Sequence, residues 1–261
     1  MTNYFRKLTY LLATVTVVLS LSSCEKDNTI MYNNGTMGNI VDGHFISDQG
    51  NVFNIVEQIC TGDLMSMNRA FVVCDILNKT EGGNSNEYDV RLTGIGSVLT
   101  KDIVPTTGVT AEMLTEDPIH VEYAWVAGGY MNMYIMFPIK VGSTTTHIIN
   151  LVHEGSMRDP ETKEEASGTY RFSLRHNANG DKIAPPQTVD YIMAGGYVSF
   201  PLNTFIIEKE ADFSIEWAWH TSIGEGLTSE TELRSLTAKY SSEGFQHAPQ
   251  TLSLQAAAQV E

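Results

Sequence analysis

The chain has 261 residues, of which 42% are hydrophobic, 18% charged and 9% aromatic, with 31 acidic against 16 basic side chains. That length supports one large or two small domains with real cores, and the charge is too sparse for a disordered polyanion. Three cysteines are too few for a disulfide-stapled miniprotein or a four-thiolate zinc site.

Residues 1–23 read as a processing segment. Arg6 and Lys7 make a short basic start, Leu8–Leu21 is an apolar run of 14 residues, and Leu21-Ser22-Ser23-Cys24 comes next. The run falls short of the ~20 residues a spanning helix needs. Leu-Ser-Ser-Cys resembles a bacterial lipobox, which implies cleavage before Cys24 and diacylation of its thiol. The chain is therefore expected to meet a membrane through an N-terminal lipid, with residues 24–37 as a flexible tether. Cleavage leaves 14 basic against 31 acidic side chains, a charge of −17. A nucleic-acid reader needs clustered cations to displace counterions from phosphate. No Lys/Arg-rich segment occurs here, so nucleic acid is excluded as a partner.

Period-two alternation dominates the chain beyond the tether and predicts short strands. Ile40–Ser47 and Val52–Glu57 flank Asp48-Gln49-Gly50-Asn51, a hairpin connection. Phe71–Leu77 is apolar on both faces and reads as a central strand, and Glu87–Val98 alternates after a polar loop. Beyond Leu99-Thr100-Lys101, Ile119, Val121, Tyr123 and Trp125 alternate with His120, Glu122 and Ala124. Gly128-Gly129 joins that strand to Met131–Ile139 as a hairpin. His147–His153, Gly168–His176, Gly195–Pro201 and Ala211–His220 complete the set. Many short strands with little helical periodicity read as all-β barrels or sandwiches. The division is a first domain over 38–102, a second over 103–220, and a short helix with a poorly ordered tail over 221–261. The helix rests on a capping box, Ser229-Glu230-Thr231-Glu232, with Leu233, Leu236 and Tyr240 at helical spacing over roughly 230–240.

Catalytic and metal motifs are absent from the sequence. It contains no Gly-x-Ser-x-Gly, no Gly-x-x-x-x-Gly-Lys and no Gly-x-Gly-x-x-Gly. His153-Glu154 fails as a zincin start because Met157 stands where the second histidine belongs. His147 and His153 lie ~20 Å apart along extended chain and cannot share a metal. Arg175-His176-Asn177-Ala178-Asn179-Gly180-Asp181 offers oxygen donors around a glycine, yet lacks the flanking acids of a calcium loop and reads as a turn. His120, Glu122 and His176 have no spacing that links them. No catalytic residue, metal or cofactor is expected. Trp217 and Trp219 could stack sugar rings, but Phe213 and Ile215 extend their face into an apolar stripe that favours inward packing. Trp125, Trp217, Trp219 and His176 stand as candidate ligand contacts. Cys60 and Cys74 would close a short loop if oxidised, worth ~3 kcal/mol in the chain-entropy model, and Cys74 also suits a buried apolar position.

Three strings resemble the C-terminal domain of NigD-like lipoproteins of Bacteroidota: His147–Val152, Tyr170–Asp181 with its Arg-His-Asn-Ala-x-Gly-Asp, and Gly195–Phe200. Upstream, Gly50–Glu57, Arg69–Leu77 and Tyr88–Lys101 are similar to the N-terminal OB-like domain of that family. The resemblance spans roughly 38–220 and implies a small OB-like barrel followed by a β-sandwich, in an outer-membrane lipoprotein on the periplasmic or the surface face. It implies no catalytic residues. The expected role is a non-catalytic binding module involved in bacteriocin immunity, its acidic surface steering a cationic peptide or protein toxin. The alternative is a glycan-binding accessory or adhesin-like surface lipoprotein that uses exposed aromatics.

Overall fold

Alternation becomes pairing along most of the chain. The computed structural model describes residues 30–31, 35–158, 161–162, 164–181, 190–223, 226–241 and 255–256. The signal segment, Cys24, most of the tether and most of the tail beyond 241 lie outside these residues. Among the described residues no helix is long and apolar enough to cross a membrane.

Strands β2 (Thr36–Val41), β3 (His44–Ser47), β4 (Val52–Gln58), β5 (Arg69–Lys79) and β6 (Glu87–Thr100) make the first domain. A short β1 (Ile30–Met31) pairs with β5 at Asp75 and Ile76. Pairing runs β2–β3, β3–β4, β4–β6, β6–β5 and back from β5 to β2, so the sheet closes on itself. The β4–β6 contact is the one parallel pair of this ring. Five strands closed this way form the small barrel that the alternation suggests. Inward side chains fill it: Phe45, Phe53, Leu64, Ala70, Val72, Cys74, Ile76, Val90 and Leu92. Closure also leaves few edges open to foreign strands.

β6 is shared. Its residues 88–97 pair with β5 inside the barrel, while Val98–Thr100 pair in parallel with Tyr197–Ser199 of β11 (Tyr191–Pro201). β11 continues into β8 (Tyr130–Lys140) and β8 into β7 (His120–Ala127), making one sheet of a sandwich. The facing sheet holds β9 (Ile148–Gly155), β10 (Thr169–Asn177), β12 (Glu210–Ile223), β13 (Gly226–Ser241) and β14 (Gln255–Ala256). Between them lies a core that includes Val121, Met131, Met133, Leu151, Phe172, Val198, Phe200, Phe213 and Ile215, packed as two inner faces pack in any sandwich. The expected all-β architecture of barrel plus sandwich is what the chain forms.

Four local expectations are corrected. Residues 230–240 are not a helix: they lie in β13, paired antiparallel with β12 from Glu210↔Ser241 to His220↔Thr231. Leu233, Leu236 and Tyr240 do sit at helical spacing, but Leu236, Ala238 and Tyr240 also alternate, and these last three are buried. A ladder along β12 outweighs a short helix that would be marginal on its own. The strand expected over Ile40–Ser47 is broken at Asp42-Gly43, whose backbones take φ of 51° and 80°. Two successive left-handed residues make a tight hairpin turn. Cys60 and Cys74 are free thiols rather than a disulfide; Cys74 faces the barrel core. The fourth correction concerns β7. Its pairing with β8 slips between Val121 and Tyr123, so Glu122 is an extra residue in a bulge. Ile119, Val121 and Ala124 face the core, and Tyr123 and Trp125 turn to the opposite face.

Candidate functional site

An arginine that opens an apolar strand sets the relation of the two domains. Arg69 begins β5 with its side chain 2% exposed and pairs with Asp48, which is equally buried. Its Nη1 and Nη2 donate to the two Asp48 carboxylate oxygens at 2.8 and 2.6 Å. From the sandwich, Asn132 Oδ1 accepts from Nη2 at 2.8 Å and Ser199 Oγ accepts from Nε at 3.0 Å. The guanidinium also lies 4.0 Å from the centre of the Tyr130 ring. The planar fork of arginine suits such a set of acceptors, as lysine would not. Burial is the largest influence on the Asp48 carboxyl and pushes it upward, opposed by the Arg69 hydrogen bond and charge. The turn Gly128-Gly129 brings the chain so close to Asp48 that a Cβ at Gly128 would collide with its carboxylate. Barrel and sandwich are thus joined through a filled polar joint.

Beside that joint, the outer face of the β11–β8–β7 sheet carries an aromatic ledge. Tyr197 is its centre. Phe71 of the barrel stacks on Tyr197 at 4.4 Å between centroids and 16° between planes. Tyr134 tilts against Tyr197 at 4.9 Å, Trp125 meets it edge-on at 6.5 Å, and Tyr123 extends the row past Tyr134 at 6.4 Å. Such offset and edge contacts suit the ring quadrupoles. Gly195 is what admits Tyr134, since a Cβ there would come within 2.8 Å of the phenol oxygen. Tyr123 is 55% exposed, while Phe71, Trp125, Tyr134 and Tyr197 are half-buried. Burial, followed by the neighbouring Tyr134 and Tyr123, raises the Tyr197 phenol above its ordinary value. The hydroxyl therefore stays neutral, able to donate and to accept.

A second polar cluster sits at the far end of the sandwich and faces inward. His176 Nδ1 lies 2.9 Å from the Pro118 carbonyl, to which it donates. His147 Nδ1 is 2.8 Å from His176 Nε2, and His147 Nε2 is 3.4 Å from Asp181 Oδ2. Phe137 stacks on His147 at 4.5 Å. Burial holds His176 down to about 4, so at neutral pH its Nε2 is a bare acceptor for the His147 N–H. Asp181 is held below its usual range, chiefly by a hydrogen bond from Ser143 and then by His147. The cluster ties the β9 entrance to the Asn179-Gly180 turn, where φ is 49° and 83°. The Asn-Ala-Asn-Gly stretch is thus a turn closed by an Asp181 N–H to Ala178 carbonyl bond of 2.9 Å. Among the described residues no group of three His, Cys, Asp or Glu side chains could hold a metal ion.

The structure separates the four sequence-derived contact candidates. Trp217 and Trp219, 2% and 5% exposed, belong to the sandwich core, and His176 is 2% exposed in the histidine cluster. These three are corrected to packing and internal hydrogen bonding. Trp125 alone reaches the outer face. Cys24 lies outside the described residues. Sequence reading missed Tyr123, Tyr134, Tyr197 and Phe71 as neighbours of Trp125, and missed Arg69 and Asp48 altogether. A charged residue opening an otherwise apolar strand was the available signal for the joint.

Comparison with known proteins sets this geometry in a family. Residues 102–233 match the model of the NigD-like C-terminal beta sandwich domain. A structure from Parabacteroides distasonis, named a candidate toxin-related protein, is 22% identical with a TM-score of 0.54, covering 80% of this chain and 92% of its own. A NigD-like immunity protein from Bacteroides caccae is 18% identical with a TM-score of 0.52 and coverages of 83% and 95%. A candidate lipoprotein from Bacteroides fragilis is 12% identical, also at 0.52, covering 78% and 95%. At these identities the likeness is one of fold. No curated protein matches the chain.

Proposed function

The chain belongs to the NigD-like family by its match over residues 102–233, and we propose that it is a lipid-anchored envelope protein that captures a polypeptide toxin and so confers bacteriocin immunity. The family match carries the reading, and likeness to a solved structure named a NigD-like immunity protein supports it. Charge supports it as well. With 14 basic against 31 acidic side chains after loss of residues 1–23, the protein attracts a cationic polypeptide at a distance and favours fast, salt-sensitive encounter. The polar joint at Arg69 holds two domains in one arrangement, so a partner that touches both meets a preorganised surface.

Capture here is stoichiometric binding rather than turnover. Two of the histidines are engaged inside the fold, His176 with Pro118 and His147 and the latter with Asp181. The lipid on Cys24 keeps the binder at the membrane the toxin must cross.

The test is neutralisation. Purified full chain mixed with toxin-bearing culture fluid from related strains should lower its killing titre up to a saturating ratio, and raised salt should weaken the effect. A titre unchanged by excess protein would contradict capture.

A further inference from the structure

We infer that the aromatic ledge on the outer face of the β11–β8–β7 sheet is a binding site for a neutral saccharide chain. The site does not depend on toxin capture, and it rests on chemistry that the immunity reading leaves unused.

The ledge sets aromatic rings and phenol hydroxyls side by side. Tyr197, Tyr134 and Tyr123 lie in a row, 4.9 and 6.4 Å between successive centroids, with Trp125 edge-on to Tyr197. Phe71 comes from the barrel and stacks on the face of Tyr197, which ends the row there. Sugar rings present C–H faces that pack on aromatic rings and a rim of hydroxyls that need partners. Tyrosine and tryptophan supply both, an apolar body and a polar tip. Among the described residues none of the three phenol hydroxyls hydrogen-bonds to another protein group, so each keeps its donor and acceptor capacity unused.

Charge selects the ligand class. The protein as a whole repels polyanions. Yet among the described residues none of the five rings takes part in an ion pair or a cation–π contact. The neighbouring carboxylate, Glu122, is turned to His120 Nε2 at 2.8 Å. A row of rings that carry no charge themselves, set in an acidic protein, complements a neutral polyol. A cationic peptide would find its counter-charges away from these rings.

Two devices show that the ledge is built. The bulge at Glu122 is what puts Tyr123 and Trp125 on this face. Without it they would continue the core row of Ile119 and Val121. The bare backbone of Gly195 lets Tyr134 lie across β11. Arg69 and Phe71 lie two residues apart on β5, so the joint also holds the stacked Phe71–Tyr197 pair in place before binding.

The test uses the full chain in a zwitterionic detergent, which has no sugar headgroup to compete. Hexasaccharides of β-linked glucose, mannose, xylose and galactose are titrated against Trp fluorescence and by calorimetry. Trp125 is the half-exposed indole, Trp217 and Trp219 being core residues, so binding should shift its emission to the blue. Tyr123→Ala should weaken binding at least tenfold. Tyr134→Phe and Tyr197→Phe, which keep ring and packing but remove the hydroxyl, should each weaken it about threefold to tenfold. Raising salt from about 50 to about 500 mM should leave the affinity unchanged, because no charge is involved. The inference is overturned if no hexasaccharide binds, or if binding survives all three substitutions at full strength. It is equally overturned if only a cationic probe such as octalysine binds the ledge, losing affinity steeply with salt; the rings would then serve a polypeptide.

Discussion

Acid should destabilise this protein chiefly through one buried imidazole. His176 is 2% exposed, and burial, the largest influence, moves it from 6.5 to about 4, the Pro118 hydrogen bond opposing and nearby His147 adding to the fall. In the unfolded chain the same ring takes up a proton near 6.5. Between these values the unfolded state binds a proton that the folded state refuses, so stability falls as pH drops from 6.5 to about 4. At 1.36 kcal/mol per pH unit the loss is about 3 kcal/mol, complete once the folded ring also titrates. Urea unfolding at successive pH values from 7 to 4 measures it. His176→Asn replaces the ring with a side chain that can still donate to the Pro118 carbonyl but carries no titrating group. The variant should start less stable at pH 7 and then lose ~3 kcal/mol less than wild type across the window. His153, which burial also lowers, is common to both and cancels. Parallel stability–pH curves, or a folded-state His176 proton resonance that titrates near 6.5, would refute the reasoning.

Other outcomes depend on the same set of contacts. Arg69→Met leaves Asp48 buried without its partner and should cost about 3–5 kcal/mol in urea unfolding, part of it recovered by adding Asp48→Leu; a cost under 1 kcal/mol would contradict a joint between domains. Leu236 is 2% exposed and Leu233 54%, so Leu236→Ser should cost several-fold more stability than Leu233→Ser, whose effect should stay within about 0.5 kcal/mol. Equal costs would favour a helix with both on one face. Burial, with the Asp75 charge second, raises the Cys74 thiol to about 11. A maleimide should therefore label Cys74 only when the barrel opens, and rapid labelling in native buffer would count against its place in the core.

Much of the fold was legible because strand period and turn chemistry agree along the chain. Phe213, Ile215, Trp217 and Trp219 read as an inward stripe and are one. Gly128-Gly129 reads as a hairpin and joins β7 to β8. What failed had physical causes that no local pattern carries. Leu233, Leu236 and Tyr240 satisfy a helix on their own, and only the presence of β12 makes a strand the better partner. The bulge at Glu122 has no glycine or proline to announce it, so plain alternation puts Tyr123 and Trp125 on one face with Ile119 and Val121. The ledge was invisible for that reason. His147 and His176 stand on different strands, and only the β9–β10 pairing, Asn177↔Ile148 and His176↔Ile149, brings their rings together. The Arg69–Asp48 pair joins residues from elements whose closeness depends on barrel closure.

Protection of the cell is the most direct test of immunity. A strain lacking this gene is exposed to culture fluid from its parent and from close relatives, with a sensitive indicator strain showing that active toxin is present. The deletion strain should become sensitive, the lipidated protein should restore resistance, and a Cys24→Ala form should not. Unchanged sensitivity on deletion across toxin-bearing fluids would contradict immunity, and rescue by the Cys24→Ala form would remove the anchor from the mechanism.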